Sequence, residues 1–332
     1  MEDRVPPAVT VLMAVYNGAD YLQEAIDSVL SQTFANFELL IVDDGSIDAT
    51  PEILKNCRDV RLRVIRFAEN KGLVAALNAG VDEARAELIA RMDGDDVCEP
   101  ERLQRQVLFM KDQPEVVLLG TSFTYIDSKN TSFRTRVLLT DRNLLFQRLL
   151  TVNQFCHPSV VMRTQAVKAV GGYRALIGPA EDYDMWLRLA EMGEIANLSE
   201  SLLRYRVHGK QVSITKLEGQ RQATNLSRAL ALQRREGKSE DVALARSSAL
   251  LSKAEILRAV VQDYISWADL YASMGDRRAA LRLLLKAVKA RPYKLDVWLA
   301  LVRHLPGGWR VDAMVGRLVG SGHDPSSPNA ER

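Results

Sequence analysis

Cysteine is scarce in this chain and long apolar runs are missing from it. The three cysteines, Cys57, Cys98 and Cys156, are an odd number without a metal-ligand spacing. That argues against a disulfide scaffold and fits a reducing compartment. No stretch approaches about 18 uninterrupted apolar residues, and the opening Met-Glu-Asp-Arg-Val-Pro-Pro has no apolar signal core. These absences predict a cytoplasmic protein, at most peripheral at the inner face of the cell membrane. Net charge is nearly absent too, +2 over 332 residues, and gives no general case for nucleic acid. What is present is ordinary: 47% hydrophobic and 26% charged residues, enough to build a substantial core in one large domain or two smaller ones. The charge is unevenly placed, however. From Glu218 onward there are 19 Lys/Arg against 12 Asp/Glu, which makes that part basic and the first part acidic. Such asymmetry suggests two units.

The first part alternates strand and helix patterns. Val9 to Val15 is a β-rich apolar run that stops at Tyr16-Asn17-Gly18, a turn signal. Leu22, Ala25, Ile26, Val29 and Leu30 then repeat at helical spacing, with Asp20 and Gln23 as a candidate cap. Phe37 to Val42 is a second strand, ending in Asp43-Asp44-Gly45-Ser46. Thr50-Pro51 offers a cap and a first-turn proline to the next helix. Leu62 to Phe67 and the helix carrying Leu73, Ala76, Leu77, Gly80, Val81 and Ala84 complete the pattern. The order implies a mostly parallel, Rossmann-like α/β sheet with helices on both faces. Ligands of such sheets sit beyond the carboxyl ends of the strands.

A fourth strand, Glu87 to Met92, runs straight into Asp93-Gly94-Asp95-Asp96. Carboxylates this close repel one another unless a divalent cation sits among them, which makes the run a candidate seat for Mg²⁺ or Mn²⁺ holding a diphosphate. Asp-Gly is also a common turn dipeptide, so a plain solvated turn is the competing reading. Asp44, Asp93 and Asp95 fall with Tyr16 and Asn17 at strand ends, so separate loops converge on one crevice. Beyond Val116 to Tyr125, a further strand, the stretch Arg134 to Leu150 has no clear pattern. Val160-Val161 continues the sheet, Gly171-Gly172-Tyr173 closes a short helix, and Glu181-Asp182 opens a helix whose Met185, Trp186 and Leu189 face inward. Leu203, Tyr205 and Val207 alternate as a strand leading to His208. From Glu218 on the chain reads as helical, and Trp267, Leu270, Tyr271, Gly275, Ala279, Ala280, Ala287, Ala290 and Pro292 approach tetratricopeptide spacing. Gly320 to Arg332 is Gly/Ser/Pro-rich and reads as disordered. The expected division is therefore 1–217, 218–319 and 320–332.

Val15-Tyr16-Asn17, Val42-Asp43-Asp44-Gly45-Ser46, Asn70-Lys71-Gly72-Leu73 and Asp93-Gly94-Asp95-Asp96 resemble the motifs of the inverting glycosyltransferase family 2, with its GT-A fold. His157-Pro158-Ser159, Gly171-Gly172-Tyr173, Glu181-Asp182-Tyr183-Asp184 and Tyr205-Arg206-Val207-His208 look like the second half of that domain in bacterial members. The resemblance covers roughly residues 8 to 215. It implies a nucleotide-diphospho-sugar donor (UDP-, GDP- or dTDP-sugar), a Mn²⁺ or Mg²⁺ cofactor, and a saccharide or lipid-linked glycan acceptor in surface polysaccharide or glycan synthesis. In the family pattern Asp44 contacts the base, Ala14 and Tyr16 wall it, and Asp93 faces the ribose and the metal. Asp95 ligates the metal, His208 completes its site, and Asp182 is the base for the acceptor hydroxyl. Lys71, Arg206 and Lys210 are candidate diphosphate contacts, with Glu181 and His157 on the acceptor side or in structural roles. Asp96 reads as a cap for the next segment.

Two rivals remain open at this level. A sugar-nucleotide pyrophosphorylase shares the sheet but needs a glycine-rich basic loop after the first strand, and Tyr16-Asn17-Gly18-Ala19-Asp20 is unlike one. A non-catalytic scaffold would act through its C-terminal helices. Those helices in either case suit a protein partner or a membrane surface, or simply stabilise the chain.

Overall fold

The computed structural model describes residues 6–208, 217–250 and 252–304. Contacts divide the chain into two compact units, 1–250 and 251–332. The first contains a nine-stranded sheet. Its opening half is β1 (Val9–Val15), α1 (Leu22–Leu30), β2 (Phe37–Asp43), α2 (Thr50–Asn56), β3 (Leu62–Arg66), α3 (Leu73–Glu83) and β4 (Leu88–Asp93). Then follow β5 (Val97–Cys98), α4 (Arg102–Asp112), β6 (Val116–Ile126), β7 (Ser132–Arg136), α5 (Arg142–Leu149), β8 (Val161–Arg163), α6 (Thr164–Ala169), α7 (Glu181–Leu189) and β9 (Glu194–Arg206). Two further helices, α8 (Leu217–Arg235) and α9 (Val242–Ser248), end the unit.

The strand order is β3-β2-β1-β4-β8-β6-β9-β5, with β7 paired to β6. As the alternation predicts, β1 to β4 are parallel to one another. Beyond β4 the sheet is mixed: β8 is antiparallel to β4 and to β6, while β6 and β9 are parallel. The period of two distributes β1 between two cores. Leu12 and Ala14 face the layer of α3, α6 and α7, while Val9, Val11, Met13 and Val15 face α1 and α4. Both faces of every central strand are covered, which is why β1 and β2 read as unbroken apolar runs.

Several local expectations are corrected. Tyr21 rather than Asp20 stands at the start of α1, and no side chain caps it. Ala49 precedes α2, so Thr50 is its first residue; the Thr50 hydroxyl instead accepts from the Gly18 N–H at 2.9 Å. Asp96 caps nothing, because its Oδ1 accepts from the Arg206 N–H 2.8 Å away. The patternless stretch is β7 and α5, with Asp141 capping α5 through the Leu144 N–H. The first unit also runs past the expected 217/218 junction. Ala223, Leu226, Leu230 and Ala231 on α8 and Ala245 on α9 join the core that holds Tyr183, Met185 and Trp186 on α7.

The second unit is helical: α10 (Lys253–Ser273), α11 (Arg277–Ala290) and α12 (Leu295–Arg303). Ser252 and Glu255 form a capping box at the start of α10. Leu270, Tyr271, Ala280, Leu283, Leu284 and Ala287 are buried in this unit. The helix pair is as the spacing predicts, and its tetratricopeptide character rests on spacing alone. Residues 320–332 and Lys210 lie outside the described residues.

Candidate active site

At the carboxyl ends of β1 and β4 the structure forms a cavity of about 370 Å³, lined by Ala14, Val15, Tyr16, Asn17, Gly18, Asp20, Tyr21, Asp93, Gly94, Asp95 and His208. The loop after β1 is fastened to the loop after β2. Asn17 N–H donates to Ser46 Oγ at 2.9 Å, Ile47 N–H donates to Asn17 Oδ1 at 2.9 Å, and Ala19 N–H donates to Asp48 at 3.1 Å. Asn17 itself sits at φ +51°, a conformation its short polar side chain tolerates. Tyr16 is half exposed at the rim.

Asp44 is buried, and its carboxylate accepts from two backbone amides, Lys71 N–H at 2.7 Å and Gly72 N–H at 2.9 Å. It thereby pins the loop before α3. Gly45 makes this approach possible: its φ is +74°, and a Cβ there would collide with the backbone of Glu69 and Asn70. The Lys71 ammonium lies 4.9 Å from the centre of the Phe67 ring, away from the cavity wall, so the Asn-Lys-Gly motif contributes here through its backbone.

The acidic run folds back on itself. Oxygens of Asp93, Asp95 and Asp96 all lie within 4.8 Å of one another. His208 Nε2 is 2.8 Å from Asp95 Oδ2, which brings a ring nitrogen from the end of β9 to the end of β4. The Tyr21 ring lies 5.5 Å from that imidazole and 4.5 Å from the Arg206 guanidinium, between them in the wall. Burial, reinforced by Asp95 and Asp93, pushes the Asp96 carboxyl well up, and its Oδ2 has no hydrogen-bond partner. A set of carboxylate oxygens plus one imidazole, with an orphaned buried oxygen among them, fits a hard divalent cation. Asp95 and His208, which both line the cavity, are the residues that would hold it.

Arg206 is corrected from diphosphate contact to structural pin. It is fully buried; Nε donates to the Asp95 carbonyl at 2.7 Å, and the remaining nitrogens reach the Asp127 carbonyl, Glu24 and Asn130. Its donors hold the acidic loop against α1 and the β6–β7 turn. The cation missed by sequence reading is Arg91, two residues before Asp93 on β4 and also buried. Its Nη1 is 2.5 Å from Asp93 Oδ1. Burial pushes the Asp93 carboxyl up against the opposing pull of Arg91.

Arg91 also marks the route to the second carboxylate pair. Glu181 and Asp182 open α7, and both feel the Arg91 charge. Burial, with the neighbouring Asp182 charge, pushes Glu181 up to about 7. Asp182 is also raised by burial, opposed by the Tyr183 N–H and by Asn153, whose Nδ2 donates to Asp182 Oδ2 at 3.1 Å. His157 begins a short 3₁₀ turn before β8 and is held neutral, its pKa far below the usual range through burial and the Arg91 charge. Its Nε2 is 3.0 Å from the Tyr173 hydroxyl, and its ring packs edge-on to Trp186 at 5.6 Å. Gly171 and Gly172, both at positive φ, turn the chain so that Asn78 on α3 brackets Tyr173, accepting from its N–H and donating to its carbonyl. Asn78 and Arg91 were overlooked because each is a single polar residue inside an ordinary element, and Asn153 because it stands in a loop without a motif. Cys98 and Cys156 are buried, and burial raises both thiols, in keeping with inert cysteines.

A mixed sheet with an acidic strand end, a facing histidine and a second carboxylate pair defines a GT-A glycosyltransferase. The model of glycosyl transferase family 2 matches residues 10–171. The putative glycosyltransferase EpsE of Bacillus subtilis is 35% identical over 208 residues, covering 60% of this chain and 73% of EpsE. The O-antigen biosynthesis glycosyltransferase WbnJ of Escherichia coli is 34% identical, covering 63% of this chain and 84% of WbnJ. The amylovoran biosynthesis glycosyltransferase AmsE of Erwinia amylovora is 32% identical, covering 61% and 78%. Among solved structures, Staphylococcus aureus TarS 1–349 superposes with a TM-score of 0.57 at 18% identity, covering 89% of this chain and 90% of that one. Mannosyltransferase PcManGT from Pyrobaculum calidifontis, in complex with GDP-Man and Mn²⁺, gives 0.55 at 19% identity, covering 95% and 90%. The chain belongs to glycosyltransferase family 2 and is a glycosyltransferase.

Proposed function

We propose that the chain moves a sugar from a nucleotide-diphospho-sugar to an acceptor hydroxyl with inversion, with Mn²⁺ or Mg²⁺ held by Asp95 and His208 beside Asp93. The observation that carries this is the meeting of Asp93, Asp95 and Asp96, whose oxygens lie within 4.8 Å of one another, with His208 Nε2 2.8 Å from Asp95 Oδ2 at the carboxyl ends of the strands. TarS has been solved with UDP and with UDP-GlcNAc, and PcManGT with GDP-Man and Mn²⁺, which supports the donor class and the cation. The names of WbnJ and AmsE support a role in surface polysaccharide synthesis.

When bound, the cation supplies positive charge to the leaving diphosphate. Ala14 and Tyr16 wall the nucleotide, and Asp44, each of whose oxygens retains a lone pair, faces the base. Asp182 takes the proton of the acceptor hydroxyl as its oxygen bonds to the anomeric carbon and the bond to the diphosphate breaks. Inversion follows from that single displacement, with no covalent enzyme intermediate. Asn153 steadies the ionised Asp182, while Glu181 and His157 shape the acceptor side. The non-catalytic scaffold is not favoured, because the acidic run, His208 and Asp182 are all in place.

A thermal-shift titration with UDP, GDP, dTDP and CMP, with and without Mn²⁺, tests the donor site without knowledge of the acceptor. One nucleotide should stabilise the wild type only with metal, and Asp95→Ala should lose the gain. If a folded sample responds to none of them, the donor site is wrong. Product anomers read by NMR then decide inversion.

A further inference from the structure

We propose that α11 and the turn after it form a docking face for an anionic lipid surface. Between Arg277 and Leu295 the chain carries seven Lys/Arg and no Asp/Glu. The distribution on the helix is ordered. Ala280, Leu283, Leu284, Ala287 and Val288 are buried within the second unit, so the opposite face must point outward. That outer face runs Arg278, Arg282, Leu285, Lys286 and Lys289 at successive helical turns, all of them exposed. None of these cations makes an ion pair among the described residues; Lys286 lies 5.9 Å from the Tyr264 ring centre, and Arg282 Nε reaches only the Arg278 carbonyl.

Apolar groups sit among the cations. Leu285 is 57% exposed in the middle of the basic stripe, the following turn offers Tyr293 at 97%, and the first residue of α12, Leu295, is 72% exposed. Trp298 is 44% exposed, and its indole N–H is already satisfied by the Pro292 carbonyl at 2.7 Å, which leaves an apolar ring edge outward. A helix face of cations with Leu285 among them, followed along the chain by exposed Tyr293, Leu295 and Trp298, matches what a headgroup layer binds. The cations meet lipid phosphates, and the leucines and aromatic rings enter the interface below them. Nucleic acid offers phosphates too, but gives the exposed Leu285 in the middle of the stripe nothing to bury against. The face lies in the second unit and carries none of the residues assigned to donor or acceptor.

Each cation near an anionic surface strengthens binding by about fivefold. The full-length chain should therefore sediment with phosphatidylglycerol–phosphatidylcholine vesicles and not with phosphatidylcholine alone, and salt should weaken the binding. Replacing Arg278, Arg282 and Lys286 together by Gln should lower vesicle affinity by on the order of a hundredfold. Replacing the same two arginines by Lys should leave it unchanged. Tyr293→Ser with Leu295→Ser should weaken the salt-resistant remainder. These positions are exposed, and circular dichroism should show that each variant keeps its helices. Equal binding to neutral and anionic vesicles, or a triple Gln variant that binds like the wild type, overturns the proposal. Tighter binding to a single-stranded oligonucleotide than to the anionic vesicles also overturns it, in favour of nucleic acid.

Discussion

Arg206 and Asp182 illustrate how the surroundings of a motif residue decide whether it serves the fold or the chemistry. Arg206 stands two positions before His208, yet its donors are spent on the Asp95 and Asp127 carbonyls, Glu24 and Asn130. Arg206→Gln should lower folding stability by on the order of 2–4 kcal/mol, since it leaves buried acceptors unpaired. Urea denaturation checks this, and an unchanged midpoint would refute the structural role. Asp182, by contrast, should matter little for folding and greatly for turnover: Asp182→Asn should reduce kcat by about 100- to 10 000-fold with donor binding retained. Because burial raises the Asp182 pKa and the Asn153 amide lowers it, the acidic limb of kcat/KM should lie above the ordinary aspartate range. Asn153→Ala removes the opposing donor and should move that limb to higher pH; movement to lower pH would show that another group sets it. Glu181 has a separate signature in stability. Its folded pKa, about 7, is raised above the ordinary 4.5, so the stability it contributes is complete below about pH 4.5 and is lost as pH rises through 7. Glu181→Gln should flatten the decline in melting temperature across that window.

At the scale of elements, the alternation of period-two and helical patterns was enough to place β1 to β4, α1, α3 and α7, because each buries a face whose spacing is written in the residues themselves. Asp93, Asp95, Asp182 and His208 were legible for a related reason: polar residues in ordered motifs at the ends of those elements. Less was legible where a partner far along the chain decides the outcome. Thr50 and Asp96 looked like local caps, but Gly18 and the Arg206 backbone claim them. Arg91 was overlooked inside an apolar strand, although the period of two sets it on the same face of β4 as Asp93. The end of the first unit was missed in the same way. A change from strands to helices after residue 217 suggests a boundary, but Asp184 on α7 is held by Arg174 and Arg188, and Arg174 also reaches Glu240 beyond α8. Glu240 in turn pairs with Arg234. A chain ending at 217 should lose this clamp along with the burial of Leu226 and Leu230, about 1.5–3 kcal/mol for each side chain. That is a large part of the stability of a typical domain. The 1–217 fragment should give broad, non-cooperative melts by circular dichroism, whereas 1–250 should melt sharply; equal melts would place the boundary back at 217.

For the molecule as a whole, two compact units imply two separable unfolding events. The sheet unit has a core on each face, and every residue of both cores lies before residue 251. The second unit buries its own residues, among them Val260, Ala268, Leu284 and Val297. Calorimetry of the full chain should therefore resolve two transitions. All residues assigned to donor, metal and base lie in the first unit, so the favoured nucleotide with Mn²⁺ should displace only one of them. At a concentration about 100 times the dissociation constant the linkage free energy is about 2.7 kcal/mol, or a shift of roughly 5–10 °C for a unit of this size. Asp95→Ala should remove the shift, and anionic vesicles should act on the other transition instead. A ligand-induced shift of both transitions together would mean that the two units unfold as one, and the separate assignment of chemistry and docking would no longer hold.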